Sequence, residues 1–232
     1  MKLEGSVALV TGANRGIGLA FVRALRAHGA AKVYAGVRHP EFFEESGAEP
    51  LLLDVTEQDQ IVAAAAARGD VTIVINNAGI QAGPGLLDGS FDGARREMEV
   101  NFYGTWALSR AFAPILAANG GGALVNMLSA SSWRPNMRYP SYAASKAAEW
   151  SLTNALRLGL RDQGTLVVGV HAGPVDTDAT LGLDVPKVKP SDVAEMTMRA
   201  LERNEPEVLV DEVTRSVRAA LSGPVDRLAP AR

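Results

Sequence analysis

The chain has 232 residues, of which 47% are hydrophobic and 21% are charged, a composition typical of a globular protein with a sizeable core. Its 23 basic and 26 acidic side chains give a formal charge of -3, so nucleic acid and anionic membranes are not expected partners. Because cysteine is absent, disulfides, thiolate metal sites and a cysteine nucleophile are excluded. The histidines, His28, His39 and His171, lack metal-ligand spacing, and no metal site is predicted.

No segment is predicted to cross a membrane or to direct secretion. The longest unbroken apolar run, residues 61–67, is too short to span a bilayer, and the first ten residues lack the pattern of a signal peptide. No linker, internal repeat or block of charge divides the chain. We therefore expect one domain over residues 1–232, in a soluble and cytoplasmic protein.

Short apolar runs alternate with longer helical patterns along the chain. Strands are predicted at residues 7–10, 32–36, 51–53, 71–75, 123–127, 166–170 and 207–210. Helices are predicted at residues 16–28, 58–68, 92–118 (with an irregularity near Asn101), 142–161, 190–202 and 213–221. Strands separated by helices indicate an α/β fold with a doubly wound parallel sheet of about seven strands, the Rossmann arrangement, with helices on both faces. Residues 37–50 barely hold a helix, so one face is expected to be thinly covered.

A glycine-rich turn lies between the first predicted strand and the first helix. In this turn, Thr11-Gly-Ala-Asn-Arg-Gly-Ile-Gly18, Gly12 would permit the tight bend, Gly16 the close approach of a pyrophosphate, and Gly18 the packing of helix on strand. Free N–H groups at the helix start would bind the diphosphate. Many strand-to-helix turns use glycine without binding a nucleotide, but here the required strand and helix flank it. A dinucleotide site is predicted.

The residues after the second strand bear on the choice of dinucleotide. NAD-binding folds of this type place a carboxylate about 20 residues after the turn, on the ribose. Residues 31–40 contain no Asp or Glu, and Val37, at the expected acidic position, is followed by Arg38. The guanidinium groups of Arg15 and Arg38 are suited to clamp a 2′-phosphate, which predicts NADP(H). The alternative is that Arg38 is a solvated loop residue.

A tyrosine and a lysine four residues apart open the helix predicted at residues 142–161. Tyr142 and Lys146 would share one helical face. An ordinary phenol has a pKa of about 10, and an adjacent ammonium group favours its ionised form. The pair is therefore suited to general acid–base chemistry at neutral pH. Tyr139 has Ala143 four residues on and lacks this partner.

Three motifs in this order carry a family resemblance. The glycine turn, the segment Asn76-Asn-Ala-Gly79 after the fourth strand and the Tyr-x-x-x-Lys pair resemble the short-chain dehydrogenase/reductase (SDR) family over residues 7–178. The resemblance implies NADPH-dependent reduction of a ketone or aldehyde to an alcohol by reversible hydride transfer. It also implies a homodimer or homotetramer, paired through helices near residues 101–118 and 142–161. The competing hypothesis is a non-catalytic NADP(H) sensor, because folds of this type host both functions.

The resemblance implies four catalytic residues. Ser129, thirteen residues before Tyr142 as is usual in the family, would hydrogen-bond the substrate carbonyl. Tyr142 would exchange the proton, Lys146 would bond the nicotinamide ribose and favour the phenolate, and Asn101 would hold a water linking Lys146 to solvent. Ser131 and Ser132 remain alternatives for the role of Ser129.

The resemblance also implies contacts with the cofactor beyond the glycine turn. Asp54 and Val55 would lie beside the adenine, and the segment from Gly173 to Thr177 would bind the nicotinamide carboxamide. Ala172 departs from the family, which usually has proline there. The complete predicted cofactor set is Gly12, Asn14, Arg15, Gly16, Ile17, Gly18, Arg38, Asp54, Val55, Asn77, Ala78, Gly79, Tyr142, Lys146, Gly173, Pro174, Val175 and Thr177.

Apolar residues surround the predicted substrate pocket. Residues 80–81, 133–139 and 180–189 would border it, and the apolar side chains of this rim are Trp133, Met137, Leu181, Leu183 and Val185. A small or medium-sized, mainly apolar carbonyl compound is the hypothesis. The alternative is that these side chains only pack their loops. His171 is interpreted as a structural histidine rather than a substrate ligand.

Overall fold

A computed structural model describes residues 1–228 of the chain. Seven strands form one sheet in which every neighbouring pair is parallel. Along the sheet the order is β3-β2-β1-β4-β5-β6-β7. In chain order the strands are β1 (Val7–Thr11), β2 (Lys32–Val37), β3 (Glu49–Leu52), β4 (Ile73–Asn76), β5 (Ala123–Met127), β6 (Leu166–His171) and β7 (Glu207–Leu209). This is the predicted doubly wound Rossmann sheet.

Helices connect the strands and cover both faces of the sheet. They are α1 (Gly16–Ala27), α2 (Gln58–Ala67), α3 (Asp92–Glu97), α4 (Thr105–Ala118), α5 (Pro140–Gly159), α6 (Pro190–Arg203) and α7 (Glu212–Ala220). A π-helical segment, Met98–Gly104, joins α3 to α4 without a break. The predicted irregularity near Asn101 is therefore confirmed as a local widening of one continuous helical run.

Alternate residues of the strands point to two separate cores. Val10 of β1 packs with Phe21 and Leu25 of α1 and with Met198 of α6 on one face. Leu9, its neighbour in β1, packs on the other face among side chains of α2 and α4. Because both faces of the central strands are buried, these strands are mainly apolar, as expected of a parallel sheet.

Element boundaries differ from the predicted ones by one or two residues at most ends. The strand at residues 51–53 lies at Glu49–Leu52, because Tyr34 pairs with Glu49 and Val37 with Leu52. Helix α5 starts at Pro140 rather than residue 142, since proline at the first helical position costs no hydrogen bond. Between β2 and β3 only one 3₁₀ turn forms, Pro40–Phe42, which confirms the thin cover there. Within residues 1–228, no helix combines the length and apolarity needed to cross a membrane.

Candidate active site

A cleft opens at the carboxyl ends of the central strands, where the order of the sheet reverses. Strands β2 and β3 lie on one side of β1, and β4 to β7 lie on the other, which makes this the switch point where open α/β sheets bind ligands. The cleft encloses about 1440 Å³. Its lining includes Gly12, Asn14, Arg15, Gly16, Ile17, Gly18, Arg38, Asp54, Val55, Asn77, Ala78, Gly79 and Thr177 from the predicted cofactor set.

The glycines of the turn have distinct geometries. Gly12 and Gly16 have φ of +64° and +55°, a region that residues with a Cβ rarely adopt. A Cβ on Gly18 would lie 2.1 Å from the Gly12 carbonyl oxygen, so α1 packs on the turn only without a side chain there. A Cβ on Gly16 would lie 3.2 Å from Thr177 Cγ2, on the opposite wall of the cleft.

The start of α1 fits a diphosphate group. Arg15 is the N-cap residue, and its side chain makes no capping hydrogen bond. The first turn of this twelve-residue helix contains no acidic residue. The positive end of the helix dipole therefore faces the cleft without a carboxylate from α1 to neutralise it. Orphan N–H groups at such a helix start bind phosphate oxygens.

Basic side chains surround the end of the cleft beside β2. Val37 ends β2 and is buried, whereas Arg38 is exposed at the cleft. Arg96 of α3 also lines this end; no motif in the sequence singles it out. Burial alone would raise the pKa of Asp54, but hydrogen bonds from Thr56 and the charges of Arg38 and Arg96 outweigh it and lower that pKa. Asp54 is therefore an anion held beside two guanidinium groups.

Arg15 makes a contact across the mouth of the cleft. Its Nη1 lies 2.8 Å from Asp178 Oδ2, and both side chains are largely exposed. Asp178 follows the segment predicted to bind the nicotinamide carboxamide. In that segment Gly173 donates its N–H to Asp211 (2.7 Å), Val175 forms an isolated bridge with Val188, and Asp176 and Thr177 enter the cleft lining.

The predicted catalytic pair lies in the first two turns of α5. Tyr142 is half-buried, while Lys146 is buried and donates from Nζ to the Met127 carbonyl at the end of β5 (2.8 Å). A Cβ on Gly79, in the cleft wall, would lie 3.6 Å from Lys146 Nζ and 3.3 Å from Asn101 Oδ1. The fold therefore brings Lys146 and Asn101 to the same part of the cleft.

Ser129 follows β5 and caps a short 3₁₀ turn, Ala130–Ser132. Its Oγ accepts the Ser131 N–H (3.1 Å), so its own hydroxyl hydrogen remains available as a donor. Ser132 is buried and its Oγ accepts the Ser129 N–H (3.2 Å). Both oxygens therefore accept one N–H of the same capping box, and these hydrogen bonds do not choose between Ser129 and its alternatives for the catalytic serine.

Asn101 lies in the π-helical segment, with its side chain fully buried. Its Oδ1 accepts the Ile80 N–H (2.8 Å), and its Nδ2 donates to the Ile80 carbonyl (3.0 Å) and to Ser145 Oγ (2.9 Å). The Ser145 hydroxyl in turn donates to the Tyr142 carbonyl (2.8 Å). Asn101 thus ties the cleft wall at Ile80 to the first turn of α5.

Trp133 is not part of an exposed rim, contrary to prediction. Its side chain is 6% exposed and stacks on His171 with ring centroids 3.6 Å apart. Burial lowers the pKa of His171 to about 3, so its imidazole is neutral and structural, as predicted. The reason is local: the 3₁₀ turn after Ser129 directs Trp133 inward over β6. Met137, Leu181 and Val185 are exposed.

The comparisons with known proteins decide the family. The sequence model described as short chain dehydrogenase matches residues 6–184, well over half of the chain. The chain belongs to the short-chain dehydrogenase family. Members of this family are oxidoreductases that use nicotinamide cofactors.

Two solved structures and one sequence relative illustrate how similar this short-chain dehydrogenase is to other members. A short chain dehydrogenase of Burkholderia cenocepacia in complex with NADP is 36% identical, with a TM-score of 0.93, over 99% of this chain and 100% of the other. A 3-ketoacyl-(acyl-carrier-protein) reductase of Brucella melitensis complexed with NADH is 25% identical, with a TM-score of 0.81, over 89% and 96%. An uncharacterized oxidoreductase of Staphylococcus aureus is 31% identical over 226 residues, 91% and 97% of the two chains.

One residue beside the predicted catalytic pair of this short-chain dehydrogenase belongs to no motif in the sequence. Glu149, one turn after Lys146 on α5, is 1% exposed, and its Oε2 lies 2.6 Å from Lys146 Nζ. The sequence shows only that a carboxylate follows the lysine by three residues. On most helices such a pair lies on the face exposed to solvent. Oε1 of Glu149 also accepts the hydroxyl of Thr105 on α4 (3.3 Å), a contact that the sequence does not indicate.

Proposed function

We propose that this short-chain dehydrogenase reduces a ketone or an aldehyde to an alcohol with NADPH, in a reversible reaction. The observation that carries the proposal is the placement of Lys146, one turn after Tyr142, beside the cleft wall at Gly79 and Asn101. The cleft fits a dinucleotide through its free helix start and its basic end. When bound, the reduced nicotinamide supplies the hydride.

The protein's own residues would handle the proton and the developing charge. Tyr142 donates its hydroxyl proton to the carbonyl oxygen during reduction and accepts it back during oxidation. Ser129 donates a hydrogen bond to the same oxygen and stabilises its negative charge. The Lys146 ammonium favours the phenolate that remains on Tyr142. Asn101 fixes the wall at Ile80 and the start of α5, so that these groups keep one arrangement.

The preference for NADP(H) over NAD(H) is supported by charge at the β2 end of the cleft. Arg38 and Arg96 lie there beside Asp54, and Arg15 lies in the glycine turn. A 2′-phosphate carries about two negative charges, and guanidinium groups bind it with charge-assisted hydrogen bonds. Its binding would take Arg15 away from Asp178, whose exposed ion pair contributes little.

A mainly apolar substrate is supported by the loops beside the catalytic pair. Met137, Leu181 and Val185 are 65%, 76% and 47% exposed, so these loops offer apolar side chains to a ligand rather than burying them. Contact with an apolar substrate would remove that surface from water, which is favourable.

The test is NADPH consumption over a panel of neutral ketones and aldehydes, with two tyrosine variants. Tyr142→Phe should lower the rate by about 10²–10⁴ through loss of the general acid. Tyr34→Phe is the matched control, because the Tyr34 hydroxyl on β2 donates to Asp70 (3.1 Å), away from the cleft. Equal turnover by wild type and Tyr142→Phe would refute the assignment. NADPH binding without consumption of any carbonyl would favour the competing hypothesis, a sensor.

We further propose a homodimer or homotetramer that pairs through α4 and α5. Aromatic side chains before and on α4 support this: Tyr103 and Trp106 are 49% and 41% exposed, and both contact Phe102. Such a cluster on a surface is typical of a protein interface. Light scattering should give at least twice the chain mass for the wild type and a smaller species for Trp106→Glu. A monomeric wild type would refute the proposal.

A further inference from the structure

Behind the cleft, Lys146 is enclosed together with a carboxylate. The side chains of Lys146 and Glu149 are 5% and 1% exposed, and Oε2 of Glu149 lies 2.6 Å from Nζ. The second oxygen, Oε1, accepts the hydroxyl of Thr105 on α4 (3.3 Å). Nζ also donates to the Met127 carbonyl. The ammonium is therefore held between two fixed acceptors, one from β5 and one from its own helix.

A buried polar network anchors α5, which carries this carboxylate, and α4, which carries its partner Thr105. Thr153 Oγ1 donates to the Glu149 carbonyl (2.7 Å) and accepts from Asn126 of β5 (2.9 Å). On α4, Ser109 Oγ donates to the Thr105 carbonyl (2.6 Å) and accepts from Asn76 of β4 (3.2 Å). Asn76 and Asn126 are themselves joined (2.8 Å). Networks of this kind fix side chains in one geometry, so Glu149 is a rigid partner.

The charge of a buried lysine needs such a partner. Burial alone would lower the pKa of Lys146, but the Glu149 carboxylate, with a smaller contribution from the Tyr142 phenol, outweighs it and raises that pKa above its ordinary value. Burial also raises the pKa of Glu149, against the effect of Lys146. On neighbouring elements, His171 of β6 is neutral, Thr105 of α4 binds Glu149, and Asn101 lies in the π-helical segment. The buried carboxylate of Glu97 on α3 binds the N–H groups of Ala82 and Gly83.

We propose that Glu149 is a positioning residue, which keeps the Lys146 ammonium charged and fixed beside Tyr142. Without the carboxylate, desolvation would favour neutral Lys146, and the neutral amine would no longer favour the phenolate. The inference rests on the proposed function only where it concerns catalysis. The pairing itself has a readout that needs no turnover.

The test is an NMR pH titration of lysine side chains labelled with ¹³C at Cε. The sequence has five lysines, and a Lys146→Met variant assigns the signal of interest. In the wild type we expect Lys146 to titrate above the ordinary value of about 10.4, and in Glu149→Gln at least about one pH unit lower than in the wild type. Glu97→Gln is the matched control, because Glu97 is equally buried but binds the N–H groups of Ala82 and Gly83.

Two results would overturn the proposal. One is an unchanged Lys146 titration in Glu149→Gln with the other four lysine signals in their native positions. The other is a wild-type Lys146 that titrates at or below the ordinary value, which decides the question even if the variant does not fold.

In the reductase assay, the activity of Glu149→Gln should begin to fall at an alkaline pH about one unit lower than the pH at which wild-type activity begins to fall. A purely structural loss would lower the activity equally at every pH. A shifted titration without any carbonyl reduction would leave the pairing intact and refute the proposed function instead.

Discussion

The Lys146 ammonium lies 2.6 Å from the Glu149 carboxylate, one turn further along α5, and both side chains are buried. Removing one partner of such a pair leaves an uncompensated buried charge and costs about 3–5 kcal/mol. We therefore expect Lys146→Met and Glu149→Leu each to lower the free energy of unfolding in urea by roughly this amount. The double variant should be destabilised by much less than the sum, since apolar pairs often replace buried ion pairs without loss. Additive losses would show that the two charges do not interact.

Arg38 lies at the end of the cleft where a 2′-phosphate is proposed to bind. Arg38→Ala would remove a hydrogen bond to the charged phosphate, and such a bond contributes about 1.5–3 kcal/mol to binding. The substitution should therefore raise KM for NADPH about 10- to 100-fold. KM for NADH should change little, and steady-state kinetics with both cofactors measures the difference. Arg161→Ala, at an exposed position beyond the end of α5, is the control. Equal losses with both cofactors would count against a phosphate contact.

Gly18 packs directly on the glycine turn. A Cβ there would lie 2.1 Å from the Gly12 carbonyl oxygen, so Gly18→Ala must displace α1 from the turn. We expect a loss of about 1–3 kcal/mol in unfolding free energy and weaker NADPH binding, measured by denaturation and by calorimetry.

Gly159 provides the matched control for that substitution. It ends α5, and a Cβ there would have no heavy atom within 4 Å. Because alanine is the better helix former, Gly159→Ala should be neutral or stabilise by up to about 1 kcal/mol. Equal effects of the two substitutions would mean that the close packing at Gly18 does not limit stability.

His28 connects α1 to α6. Its Nε2 lies 3.0 Å from Glu195 and its Nδ1 lies 3.4 Å from Glu202, both on α6. The hydrogen bond with Glu195, aided by Glu202, raises the pKa of His28. Because the folded-state pKa is raised, the stabilisation is fully present below the unfolded value of 6.5 and is lost as pH rises through the folded value.

The contribution of this pair is at most about 1 kcal/mol, since the side chains are partly exposed. Thermal unfolding of wild type and His28→Gln between about pH 5 and pH 9 measures it. The wild type should be more stable than the variant at acid pH, and the difference should vanish at alkaline pH. A difference that grows with pH would contradict the assignment.

Patterns of local chemistry were enough to predict the sheet and most helices, and they indicate Tyr142 and Lys146 as a catalytic pair, which stays a prediction. The mainly apolar run of β5 matches its strand, Ala123–Met127, because burial on both faces leaves a strong apolar signal that only Asn126 interrupts. The edge strand β3 was misplaced by one or two residues, since Glu49 and Leu52 are exposed there and its limits depend on pairing with β2.

Contacts between elements that are distant in the chain could not be predicted from the sequence. Glu149 is buried beside Lys146 and binds Thr105 of α4, and Arg96 of α3 acts on the charge of Asp54. Trp133 is buried because the turn after Ser129 directs it towards His171. Each of these depends on how two elements pack, which periodicity and motif spacing along one chain do not encode.

In the proposed reaction, NADPH bound in this cleft transfers a hydride to a carbonyl carbon, with Tyr142 as proton donor. The decisive measurement is a reaction with NADPH deuterated at the transferred position, followed by mass spectrometry of the alcohol. We expect one deuterium on the carbinol carbon with the wild type and with Tyr34→Phe, and a rate lower by about 10²–10⁴ with Tyr142→Phe. NADPH that binds tightly but leaves no deuterium in any product would contradict it.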